Sequence, residues 1–145
     1  MTDVVQAREA AIAAETRVEN TFMQVLDRLH VLNSTLVELH DKIKKAQPVA
    51  SGSVCLELYP CGPGCNGCPH PRWVRYYWTP GDSSKQGVLM GTNLDAQGRD
   101  PVLALGRKEP HYAETAKLIR EAKAILAERT KILSCVRTLR FSFKK

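Results

Sequence analysis

The stretch VENTFMQVLDRLHVLNSTLVELHDKI, Val18–Ile43, sets apolar residues four and three positions apart in strict alternation. The row is Val18, Phe22, Val25, Leu29, Leu32, Leu36, Leu39 and Ile43. With about 3.6 residues per turn, that spacing keeps all eight on one slowly drifting stripe. The stretch therefore reads as a long helix built to pack against another helix. Towards the N-terminus the stripe thins to Val4, Ala11 and Ala14. Thr2 or Asp3 suits the N-cap, neither Gly nor Pro interrupts the run, and Pro48 stops it. A coiled-coil helix is expected over residues 1–46.

The same pattern returns at the other end of the chain. Glu109-Pro110 suits a first turn, and the row then reads Leu118, Ala122, Ile125, Arg129, Ile132, Val136, Leu139, Phe143. Arg129 is its one polar member. Each row spans roughly 39 Å of helix at about 1.5 Å per residue, so the two predict an antiparallel hairpin or coiled coil. The intervening segment would sit at one tip and both termini at the other. Leu26, Val37, Leu126 and Leu133 widen the stripes, and a stripe that wide favours more than one partner helix. A homodimer, as a four-helix bundle, is the expectation; a middle segment folded back over the stripe would cover it equally.

Residues 47–108 change character. Ser53–Tyr59 alternates and Trp73–Thr79 is aromatic and β-branched, as strands prefer. Pro80-Gly81-Asp82 reads as a turn, and Lys85–Met90 as a return strand. Gly91–Lys108 reads as loop with a short strand at Val102–Leu105. The fold class that results is α+β, mainly α: two long heptad-patterned helices, the second being 109–145, flanking a small antiparallel sheet in one structural domain. Such a sheet is too small to hold itself together.

Cysteine supplies the staple. The opening MTDVVQAREAAIAAETR is charged and lacks an apolar core, so neither a signal segment nor a membrane span is expected. A reducing, cytoplasmic setting follows, where clustered cysteines favour metal over disulfides. In Cys61-Gly-Pro-Gly-Cys65-Asn-Gly-Cys68-Pro-His70, three thiols and an imidazole fall within ten residues. Tetrahedral Zn²⁺ needs four such ligands converging from a tight turn, and glycines let the backbone wrap the ion. Cys55, on the preceding strand, is a fifth candidate and competes with His70 for the fourth position. The only nearby acid is Glu57 and no His-Glu zinc-hydrolase pairing occurs, so a closed, structural site is expected.

Gly52-Ser53-Val54, the Cys61–Cys68 knuckle, His70-Pro71 and the aromatic Tyr76-Tyr77-Trp78 together resemble an uncharacterised family of small prokaryotic proteins met in phages, plasmids and transposons. The motif covers about residues 50–80; elsewhere the likeness is of plan, with a leading and a trailing helix. The inner cysteine spacing, the short gap to His70 and the added Cys55 depart from it. The resemblance implies a mobile-element setting and carries no settled activity.

Charge points to a class of partner. The chain's net charge is +6. Residues 109–145 hold nine Lys/Arg against four acids, and no acid follows Glu128. Lys42, Lys44 and Lys45 end the first helix; Arg72 and Arg75 alternate with the aromatics of the strand; Arg137, Arg140, Lys144 and Lys145 close the chain. In the hairpin, the first two groups form one basic tip and the third lies at the opposite end. Aromatics stack on bases and cations pair with phosphates, so DNA or RNA is the expected partner. A competing reading makes Trp73, Tyr76 and Trp78 the sheet's own core and the chain a helical adaptor for another protein. Catalysis is not expected: His30 and His40 fall on polar flanks of the first helix, and no phosphate-cradling loop occurs. Cys65-Asn-Gly-Cys68 has the spacing of a thiol switch, and Cys135 reads as a small core residue.

Overall fold

A computed structural model describes residues 3–80 and 87–143. Thr2, Gly81-Asp82 of the expected turn, Lys85 at the start of the expected return strand, and Lys144 and Lys145 lie outside them. Helix α1 runs Val4–Ala46; strands β1 Val54–Tyr59, β2 His70–Thr79 and β3 Val88–Asn93 follow; a short α2, Pro101–Ala104, precedes α3, Tyr112–Ser142. Asp3 caps α1, its carboxylate accepting from the Val5 N–H at 3.3 Å. Gln47 closes the helix one residue before Pro48.

The two long helices lie antiparallel. Arg28 of α1 pairs with Glu128 of α3 at 2.7 Å, while Gln47, just past α1, donates to Thr115 Oγ1 near the start of α3 at 3.2 Å. Numbers rise on one helix as they fall on the other. The strands form one antiparallel sheet in the order β1-β2-β3. Register pairs Leu56 with Trp73 and Tyr59 with His70 on one side of β2, and Tyr76 with Gly91 on the other. Gly91 is required there, since a Cβ would stand 2.7 Å from Val74 Cγ1.

The middle segment does not sit at the tip of the hairpin. It folds back along the helix pair, because its apolar face needs cover that a three-stranded sheet lacks. Leu36, Leu39 and Ile43 of α1, Ile119 and Ala122 of α3, and Val54, Leu56 and Trp73 of the sheet make one core with Leu94 and Leu105. The turn that starts this return is tied down locally. Ser53 Oγ donates to the Pro48 carbonyl at 2.7 Å, and Gly52 N donates to the Tyr76 carbonyl at 2.8 Å. Gly52 adopts φ +93°, a left-handed conformation in which a side chain would be strained and would run into Glu109.

Cover by the sheet explains which stripe residues are buried. Leu32, Leu36, Leu39 and Ile43 are enclosed, whereas Val18 and Phe22 are more than half exposed. On α3, Ala122 and Arg129 are buried, but Leu139 and Phe143 lie open. Three local expectations are corrected. Val102–Leu105 is not a strand: Asp100 caps a helical turn, its carboxylate accepting from Val102 N at 2.8 Å, with Pro101 in the first position. The third strand begins at Val88 and extends to Asn93 because Gly91–Asn93 pairs with Val74–Tyr76. Cys135 is exposed, not a core residue.

Candidate metal centre

The turn between β1 and β2 is short of side chains and rich in bends. Gly62 and Gly64 both take positive φ, and the chain doubles back so that Tyr59 faces His70 across the sheet. This brings Cys61, Cys65, Cys68 and His70 together: one ligand atom from each, all within 4.8 Å of one another. Cys61 Sγ lies 3.3 Å from Cys68 Sγ, and Cys65 Sγ 3.3 Å from His70 Nε2. A tetrahedral ion with bonds of about 2.0–2.3 Å has ligand–ligand edges of roughly 3.3–3.8 Å. The four residues could therefore hold a metal ion with little movement.

Backbone and sulfur chemistry favour that use. Gly67 N donates to Cys65 Sγ at 3.4 Å and Cys61 N to Cys68 Sγ at 3.3 Å. N–H groups aimed at sulfur favour the thiolate, and the Cys61 amide and thiol hold Cys68 below its ordinary pKa. Cys61 moves the other way: the Cys65 and Cys68 sulfurs beside it push it up to about 12. Three sulfurs this close do not all ionise unless a cation joins them.

Cys55 is not part of this group. It is buried on β1, where its thiol donates to the Gln47 carbonyl at 3.3 Å, and burial pushes its pKa up to about 11. The fold thus brings His70, and not Cys55, beside the other three cysteines, because the pleat and register of β1 hold Cys55 inside.

The residue that sequence reasoning did not place is Arg129, the polar exception in the second stripe. It is only 4% exposed. Its Nε donates to Asn33 Oδ1 of α1 at 2.7 Å, and its Nη2 to the Gly67 carbonyl, inside the knuckle, at 3.0 Å. Burial pulls its pKa below the ordinary guanidinium value, and the Cys68 and Cys65 sulfurs oppose that pull. One side chain thus ties both helices to the knuckle.

The candidate cations are dispersed differently from the expected two poles. Lys44 bonds Glu57 at 3.0 Å, and Glu57 is the register partner of Arg72, so a carboxylate divides that basic tip. Lys45 pairs with Asp41 at 2.8 Å, and Lys42 is exposed. Arg72 stacks over the Tyr59 ring at 4.9 Å. Arg75 is half-buried, with its Nε enclosed and, among the described residues, without a hydrogen-bond partner. Arg137 and Arg140 lie on a cavity of about 620 Å³ between the knuckle and the C-terminal half of α3, lined also by His70 and Pro71. They therefore neighbour the Arg72 end of β2, where the tip arrangement had put them at the far end. The aromatics split as well: Trp73 is buried, but Trp78 is 57% exposed and Tyr77 open, so the strand's aromatic run is not simply a core.

Fold and site define a mainly helical protein with a surface Cys₃His cluster able to hold a metal ion. Comparison with models of known families, with curated proteins and with solved structures gives no match. Among the described residues no helix is long and apolar enough to cross a membrane.

Proposed function

We propose that this is a zinc-containing, non-catalytic nucleic-acid-binding protein, an accessory or regulatory component of a prokaryotic mobile element. The carrying observation is the cation arrangement at the knuckle: Arg137 and Arg140 share a groove with the Cys65, Gly67, His70 and Pro71 loop, and among the described residues no carboxylate lines it. An anionic ligand meets the Arg137 and Arg140 guanidiniums there, beside polar Asn66 and Ser134 and apolar Leu133 and Val136. Zinc is the ion the donor set favours, since three thiolates and an imidazole in a tetrahedral cluster suit it over Mg²⁺ or Ca²⁺. Three thiolates around a divalent ion leave one net negative charge, which the buried Arg129 guanidinium balances. The role is structural. Four ligands from one chain leave no open position, and the nearest acid, Glu57, is engaged by Lys44 and Tyr76.

The test is binding to a mixed pool of duplex and single-stranded DNA, and of RNA, across a salt series, with zinc measured on the same sample. Binding that weakens steeply with salt supports the reading, because phosphate contacts release counterions. Zinc-loaded protein that binds none of these at low salt overturns it. A second reading, a helical adaptor, has one observation in its favour: the apolar row on the first half of α1, including Val18, Phe22 and Leu26, is uncovered.

A further inference from the structure

We infer that the groove between the knuckle and α3 takes an unpaired base of a single nucleic-acid strand, with Arg137 and Arg140 on its phosphates; this rests on the nucleic-acid reading and narrows its ligand. The groove's volume of about 620 Å³ falls in the roughly 300–1,000 Å³ range of ligand pockets. A surface that only tracks a duplex backbone needs cations and no pocket. Leu133 and Val136 of α3 and Pro71 of the knuckle side give it apolar lining, Asn66 and Ser134 add polar groups, and Arg137 and Arg140 line the same cavity. Arg137 and Arg140 are three positions apart on one helix, so both reach the same side.

That pairing of apolar lining and cationic rim fits a flipped or unpaired nucleotide. A base buries its faces against apolar or aromatic groups while its phosphates stay with the arginines. In a duplex the faces are already stacked and the bases paired, so only the rim would be used. The apolar lining would then stay wet. His70 and Pro71 form the knuckle-side wall, and Arg129 holds the loop that carries them through Gly67. The wall is thus fixed by the metal centre, and the groove keeps its width only while the knuckle is folded.

The experiment is fluorescence anisotropy of labelled oligo(dT) against a duplex of equal length, using the zinc-loaded full chain at one salt concentration. The single strand is expected to bind about tenfold or more tightly. Arg137→Glu/Arg140→Glu, both exposed positions, is expected to weaken both strand forms at least tenfold with zinc content and helicity unchanged, and Val136→Asp to weaken the single strand more than the duplex. Equal or tighter duplex binding overturns the groove assignment while the nucleic-acid reading survives. A preference left unchanged by Val136→Asp, or binding of both forms left unchanged in the double variant, also overturns it. Competition by a polyglutamate peptide as effective as by unlabelled oligo(dT) would make the groove a general polyanion site and sink the base-binding claim. Binding to neither strand form removes the nucleic-acid reading itself.

Discussion

Arg129 of α3 and Gly67 of the knuckle are joined by a 3.0 Å hydrogen bond from guanidinium Nη2 to backbone carbonyl. They stand 62 positions apart in the chain, so this contact converts a local loop into a part of the tertiary fold. The same guanidinium donates to Asn33 at 2.7 Å. A buried acceptor left without its donor costs about 1–3 kcal/mol. Arg129→Met fills much of the volume but satisfies neither Gly67 nor Asn33. It is expected to lower zinc affinity about 10–100-fold, as loss of a group supporting metal ligands does, and to lower unfolding stability by about 2 kcal/mol. Competition with a chromophoric chelator measures the first and urea unfolding the second. Zinc affinity equal to that of the parent chain would remove Arg129 from the support of the site.

That relationship also marks where reading the sequence ran out. The eight-member stripe of α1 and the Cys61–His70 spacing were visible because helix period and metal ligation are both local signals. Arg129 looked like a flaw in its stripe, since nothing in the sequence connects it to Gly67. The buried part of α1 was hidden for a similar reason. All eight positions look alike as residues, and only the folded-back sheet distinguishes enclosed Leu36 from exposed Phe22. At Val102–Leu105 an apolar run outweighed the cap signal of Asp100-Pro101, and the shorter element won because its cap carboxylate is held by Lys123 at 2.7 Å.

The cysteines divide into two groups with different expected losses. Cys61→Ser and Cys68→Ser each remove one ligand of the cluster, and both are expected to lose stoichiometric zinc and the fixed structure of the β1–β2 turn. Cys55→Ser keeps full zinc, because its thiol faces the Gln47 carbonyl and the hydroxyl can donate in its place. Metal analysis after dialysis reads all three. Full zinc in both Cys61→Ser and Cys68→Ser would mean the ion, if bound, sits elsewhere.

Asp100 gives a pH dependence with a definite sign. Its bond from Lys123, and the Val102 and Leu103 amides it caps, hold its pKa below the ordinary carboxylate value. The unfolded chain therefore takes up the proton at higher pH than the folded one. The stability Asp100 contributes is full above about pH 4 and is lost as pH falls through the lower folded value. Asp100→Ala is expected to cost about 1 kcal/mol at neutral pH, as N-cap losses do. The gap between parent and variant should close on acidification. Urea midpoints of both proteins at matched pH values measure it, and a gap that widens towards acid contradicts the assignment.

The uncovered half of α1 makes the last prediction. Val18, Phe22 and Leu26 are each more than half exposed, as are Phe141 and Phe143 at the far end of α3. Both rows lie at the same end of the hairpin, outside the core shared with the sheet, and Phe141 also lines the cavity beside the knuckle. Charge on the two helices differs there: α1 carries Glu9, Glu15 and Glu19 against Arg8 and Arg17, and α3 carries Arg137 and Arg140 with no acid after Glu128. A second copy, turned end for end, would bring the acidic helix of one chain onto the basic helix of the other and cover both apolar rows. The expected state is therefore a dimer held mainly through the uncovered row of α1, with the sheets outside the interface. Sedimentation equilibrium of the parent chain should show it, and Phe22→Glu should give monomer with helicity and zinc content kept. Exposed Phe22 supports no core, so loss of folding is not expected from that change. A parent chain that is monomeric at high protein concentration would leave the row open for a different protein, as the adaptor reading holds.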